Sequence, residues 1–203
     1  YSLGSGQDSP AVETQALIES VITLDVNPSI EIDVDQTDTV TGVKALNEDA
    51  RIVIGSMELE GSSLDVAVNA LIGSMLQNGY LDDLRNSILV SVTDGDSARA
   101  QALQNSVAGM ISDALGTGGV DGAVISQTVT PDAVTELAAS YNITEGKAAL
   151  ISKLVAADAT LTVESLVGLP INDIALIASS RGITDDSVTS TGTASEGAYI
   201  GAQ

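Results

Sequence analysis

The sequence predicts an α+β fold: a mixed or antiparallel sheet packed as a sandwich with two amphipathic helices, followed by a small all-helical subdomain. Three observations predict it. Two stretches with the period-two pattern of half-buried strands adjoin each other before any helix, at residues 21–26 and 30–35. Two amphipathic helical stretches then flank a β-branched run at residues 87–92. From Thr130 onward the apolar spacing is wholly helical. Two adjacent strands before the first helix also argue against a regular doubly wound sheet.

In chain order, residues 1–19 read as a flexible lead-in. The α+β part then spans 20–129. Ile22, Leu24 and Val26 share one side of the first strand, and Asn27-Pro28 turns the chain. In the second strand Ile30, Ile32 and Val34 alternate with Glu31, Asp33 and Asp35. A third strand is expected over 39–46, ending at a polar turn, Asn47-Glu48-Asp49. Gly61-Ser62-Ser63 offers an N-cap to a helix carrying Leu64, Val68, Leu71, Ile72 and Met75, stopped near Asn78-Gly79.

After the strand at 87–92, Thr93-Asp94-Gly95-Asp96 leads into a helix with Leu103, Val107, Met110, Ile111 and Ala114 on one face. That helix ends at Gly116-Thr117-Gly118-Gly119, before a further strand within 120–129. The helical subdomain spans 130–180. Thr130-Pro131 reads as an N-cap and first helical residue, and further helices are expected at 146–157, at 161–166 and from Pro170. The subdomain is small for independent stability and is expected to pack on the α+β part. Residues 181–203 read as a Ser, Thr and Gly-rich tail or linker.

Composition restricts the chemistry. The chain has no Phe or Trp and only four Tyr, so aliphatic side chains must fill the core. With 28 acidic residues against seven basic ones, the net charge is −21. Such a surface repels phosphate backbones and argues against a nucleic-acid partner. It reads as a solvating coat, or as a docking face for a basic partner. There is no Cys and no His, which closes disulfides, thiolate or imidazole metal sites and His-dependent nucleophilic catalysis. No cofactor or metal is expected. Asp33, Asp35 and Asp38 lack the glycine and distal glutamate of a calcium loop and read as a polar turn. The sequence holds no run of about 18 apolar residues, so no membrane-spanning helix is expected. Its start at Tyr1-Ser2-Leu3 reads as a fragment cut just beyond a membrane segment.

Several groups of residues carry a resemblance: Val26-Asn27-Pro28-Ser29-Ile30-Glu31, Val43-Lys44-Ala45-Leu46-Asn47-Glu48-Asp49, Leu64-Asp65-Val66-Ala67 and Ile88-Leu89-Val90-Ser91-Val92. Together they resemble the middle domain of RsgI-like anti-sigma factors, and the stretch from Tyr141 to Ile151 resembles the helical segment that follows it. The resemblance covers roughly residues 20–178. It implies the extracytoplasmic part of a single-pass membrane protein of a Gram-positive bacterium, whose cytoplasmic domain restrains a sigma factor. It also implies self-cleavage at Asn27-Pro28, with the N-terminal fragment staying bound to the rest. An intramembrane or site-1-type protease would act downstream, and extracellular polysaccharide would be sensed through modules absent here. The other reading is a non-cleaving surface-binding or scaffolding module of the same fold.

The implied site residues are Asn27 and Pro28, and their chemistry is coherent. An Asn amide can attack its own backbone carbonyl, closing a succinimide and expelling the next nitrogen. Before proline the competing attack by a backbone N–H is impossible, because Pro28 has none. Well-aimed intramolecular attack reaches effective molarities of about 10⁵–10⁸ M. Asp25, Ser29 and Glu31 are the nearby candidates for proton handling, and the sequence does not choose among them.

Overall fold

The computed structural model describes residues 20–130 and 132–191. The lead-in at 1–19, Pro131 and the end of the tail at 192–203 lie outside the described residues. Within them the chain is an α+β fold built on one six-stranded mixed sheet.

The hairpin expected from the alternating pattern is present. Strand β1 (Ser20–Asp25) pairs antiparallel with β2 (Ser29–Val34), with Asp25 opposite Ser29. The connection is the three residues Val26-Asn27-Pro28, closed by the Val26 N–H donating to the Pro28 carbonyl at 3.0 Å. Strand β3 (Val40–Ala45) pairs antiparallel with β2. The polar stretch that follows is not a turn but the start of a helix, α1 (Glu48–Ile54), capped by Asn47. An Asx residue with two acidic neighbours signals a helix N-terminus as readily as a turn, since both leave backbone N–H groups for a carboxamide to accept.

Helix α2 (Leu64–Gln77) leads to β4 (Ser87–Asp94), and α3 (Ser97–Thr117) carries the chain to β5 (Ala123–Thr128). The α3 crossover makes β4 and β5 parallel. Asp96 caps α3 by accepting from the N–H groups of Ala98 and Arg99. Strand β4 pairs antiparallel with β1 on its other side, so the order is β3-β2-β1-β4-β5-β6.

The helical segment comprises α4 (Thr135–Tyr141), α5 (Glu145–Ala157), α6 (Val163–Leu166) and α7 (Ile171–Ser180). The first begins later than expected: Val134 stands at its N-cap and Thr130 precedes the turn before it. Strand β6 (Val188–Thr191) then pairs with β5, within the stretch read from sequence as a tail.

Each face of the sheet has its own core. On one, Ile22, Leu24, Ile30, Ile32, Val90 and Val92 meet α2 and α3 through Val68, Leu71, Ile72, Met75, Val107 and Ile111. On the other, Leu89 and Ile125 meet Leu150, Ile151, Leu154, Leu166, Ile171 and Ile174. The helical segment therefore packs directly on the sheet and shares a core with it. No helix among the described residues is long and apolar enough to cross a membrane.

The second face also carries polar groups on β1, β4 and β5. The buried Gln127 donates through Nε2 to the Ser91 hydroxyl at 3.0 Å and to the Gly146 carbonyl at 2.8 Å, and Lys153 Nζ donates to Gln127 Oε1 at 2.7 Å. Gly146, in the first turn of α5, lies so close to the sheet that a Cβ there would meet Ser91 Oγ at 2.3 Å and Thr23 Oγ1 at 2.9 Å. Gly146→Ala should therefore destabilise the protein by about 1–3 kcal/mol despite alanine's better helix propensity, read as a lower urea midpoint.

Candidate functional site

Three parts of the chain converge on the hairpin connection: the start of α1, the α4–α5 connection and the α6–α7 connection. Asn27 is exposed while Pro28 is buried. Proline suits this position, since the loop requires no N–H from it.

Asn47 connects the loop to α1. Its Oδ1 accepts from the Ala50 N–H at 3.0 Å, which caps the helix, and from the Ser29 N–H at 3.2 Å. Two backbone donors at that oxygen identify the other end of the carboxamide as the donor. That end, Nδ2, points at the loop and donates to the Asn27 carbonyl at 2.8 Å. Asp49, in the first turn of α1, supplies the second contact. Its Oδ2 accepts from Asn27 Nδ2 at 3.0 Å, and its Oδ1 accepts from the Tyr80 hydroxyl at 3.0 Å. The Asn27 side-chain nitrogen thus faces a carboxylate, and its carbonyl oxygen faces an amide donor.

The sequence-based candidates for proton handling are committed elsewhere. Glu31 accepts from Lys44 Nζ at 2.7 Å, on the strand pair beyond the loop. Asp25 accepts from the Ser29 hydroxyl at 2.7 Å and the Thr144 hydroxyl at 2.7 Å. It is Asp49, 22 positions after Asn27, that touches the Asn27 side-chain amide. The signal available in the sequence was the Asn47-Glu48-Asp49 group, read as a turn. Its function depends on the hairpin folding back onto it, which no local pattern reveals.

Asp25 is buried at the end of β1, with Lys147 nearby. Burial pushes its carboxyl up from the ordinary carboxylate value, while the Thr144 and Ser29 hydroxyls and the Lys147 charge pull the other way. Lys147 is pushed down by its own burial, with Asp25 opposing. Its ammonium donates to the carbonyls of Val167 and Leu169 at 2.9 and 2.8 Å. The Ile171 N–H at the start of α7 reaches the Val26 carbonyl at 3.4 Å. Between these groups lies a cavity of about 270 Å³ bordered by Asn27, Asn47, Asn142, Thr144, Lys147 and Leu169. Asn142-Ile143-Thr144 has the spacing of a glycosylation sequon, but Thr144 is buried and occupied, accepting from the Lys147 N–H as the α5 cap and donating to Asp25.

The other acidic candidate resolves into a loop. Asp35 Oδ1 accepts from the N–H groups of Thr37 and Thr39, and Asp38, at φ 59°, pairs with Arg99 at 3.0 Å. No group of three carboxylates disposed to hold a metal ion occurs among the described residues.

The model of the RsgI-like anti-sigma factor central domain matches residues 19–153. Among curated relatives, the chain is 30% identical over 168 residues to anti-sigma-I factor RsgI7 of Acetivibrio thermocellus, covering 81% of this chain and 30% of that protein. Over 160 residues it is 24% identical to RsgI6 of the same organism, covering 73% of this chain and 21% of that protein. With RsgI3 it shares 26% identity over 171 residues, 77% of this chain and 26% of that protein. The chain thus spans less than a third of the length of each of these relatives.

The buried carboxyl at position 25 gives a pH signature. Between the ordinary carboxylate value and its raised native value, the folded chain keeps a proton that the unfolded chain has released. Its contribution to stability therefore falls as pH rises through that window. The unfolding free energy of the wild type relative to Asp25→Asn should decrease from acidic towards neutral pH in chemical-denaturation series. A difference rising over that range would assign the site a depressed carboxyl.

Proposed function

Since the chain belongs to the RsgI-like anti-sigma factor central-domain family, we propose that it is the extracytoplasmic signalling domain of a membrane-bound anti-sigma factor, which cuts itself at Asn27–Pro28 and keeps its halves together. The observation that carries this reading is the pair of contacts on one residue: the Asn27 amide nitrogen on Asp49 and the Asn27 carbonyl oxygen under Asn47.

The reaction follows from those contacts. Asn27 Nδ2 attacks the Asn27 carbonyl carbon, forming the ring C–N bond, and Asp49 takes its proton as the nucleophile loses it. Negative charge gathers on the carbonyl oxygen, where Asn47 Nδ2 donates. Breaking the bond to Pro28 expels a secondary amine, to which Asp49 returns the proton. The N-terminal piece then ends in a succinimide at Asn27, and the other piece begins at Pro28. Water, with access through the exposed loop and the adjoining cavity, later opens the ring. Tyr80 is a positioning residue that holds the Asp49 carboxylate towards the loop. No cofactor or metal enters any step.

Retention follows from the sheet. β1 is held along its length by β2 on one side and β4 on the other, and Ile22 and Leu24 are fully buried. In the complete protein the two pieces would form the mechanical coupling between outside and membrane. Separation would expose the anchored piece to an intramembrane or site-1-type protease and free a sigma factor. Polysaccharide sensing would belong to further modules of the whole protein.

Denaturing mass spectrometry of the purified chain tests the reading. We expect a fragment ending at Asn27, one water lighter than the free acid before the ring opens, and a second beginning at Pro28. Asn27→Ala should give one intact chain. Asp49→Asn should slow cleavage by about 10²–10⁴-fold and Asn47→Ala by about 10²–10³-fold. An intact wild-type chain after prolonged incubation would leave the non-cleaving binding module as the function.

A further inference from the structure

Among the described residues, β1 is the only strand joining the two parts of the sheet: β2 and β3 lie on one side of it, and β4, β5 and β6 on the other, with no pairing between β2 and β4. It is also the strand whose covalent link to everything after it runs through Asn27–Pro28. Once that bond is open, withdrawing β1 would leave a slot edged by the unpaired backbone groups of β2 and β4. Both edges demand an antiparallel strand, and unpaired backbone groups buried between two cores are costly.

The slot is selective as well as open. Towards α2 and α3 it needs apolar side chains at the positions of Ile22 and Leu24. Towards α5 it needs a hydrogen-bond acceptor at the Asp25 position, where the hydroxyls of Ser29 and Thr144 converge. At the far end, Ser20 donates to Asp94 and accepts from Arg99 Nε. Slipping the strand by one residue would put the carboxylate in the apolar core and leucine against the hydroxyls, so the register is fixed.

We infer that the separated large piece is a strand acceptor whose specific ligand is the Ser20–Asn27 segment of another copy of this chain. Cleavage partners can then exchange between copies, and a piece that has lost its strand can be rearmed by a neighbour. The occupant is a second copy because this segment supplies the apolar side chains at positions 22 and 24 together with the buried acceptor at 25 that an arbitrary apolar strand would lack. The inference rests on the cleavage reading only for how the strand becomes free, and the test separates the two.

The full chain is prepared in isotopically light and heavy forms. If it has cut itself, it is used as it is; if it has not, a protease site placed between Asn27 and Pro28 supplies the cut. The two forms are mixed, exposed briefly to urea and returned to buffer. Native mass spectrometry should then show heavy large pieces carrying light small pieces. A fluorescent peptide of residues 20–27 should bind the cut protein and not the uncut Asn27→Ala chain. The Leu24→Asp peptide should bind about 100-fold more weakly and Asp25→Val about tenfold more weakly. Absence of mixed pairs, equal binding to uncut protein, or equal binding by the substituted peptides would each overturn strand capture. A chain that needed the inserted site would count against self-cleavage alone.

Discussion

Everything in this molecule depends on β1 lying in the middle of its sheet. An edge strand is held on one side and can fray, whereas β1 is hydrogen-bonded on both sides and buried on both faces. It binds β2–β3 to β4–β5–β6, contributes Ile22 and Leu24 to one core, and presents Thr23 and Asp25 to α5 on the other face. A chain cut at the end of such a strand need not fall apart. The same placement means that no part of the strand can leave without breaking both ladders.

The β1–β2 loop is held by groups that each have another structural duty. Asn47 is a helix cap, a brace for the Ser29 N–H and the donor to the Asn27 carbonyl. Asp49 occupies the first turn of α1, where the helix dipole favours a negative charge. These roles reinforce one another. The cap fixes the Asn47 rotamer, so its amide nitrogen is held on the Asn27 carbonyl.

The two faces of the sheet do different work. The face towards α2 and α3 is aliphatic and supplies stability through burial. The face towards α5 is mixed: aliphatic at Leu89 and Ile125, but polar at Asp25 and Thr144 by β1 and at Ser91 and Gln127 on β4 and β5. Hydrogen bonds of this kind add modest net stability but penalise a wrong partner strongly, because a buried group left unpaired loses its hydration without return. The layer over the critical strand therefore specifies which segment belongs there more than it glues it in place.

Much of this was legible in the sequence. The β1–β2 hairpin, α2, β4, α3 and α5 follow from period-two and period-3.6 spacing bounded by Gly, Asn-Pro and Ser or Asp caps, all of which are local signals. The α+β class followed from their order, and the residues carrying the family resemblance include the loop between β1 and β2. Three features were decided only by tertiary structure. The start of α1 looks like a turn because Asn47 serves either purpose locally, and only the hairpin packed against it settles which. The strand at 188–191 has no periodic signature strong enough to read alone and forms because β5 offers an edge. Asp49 reaches Asn27 because β3 returns the chain alongside β2, bringing together residues that no short window of sequence contains.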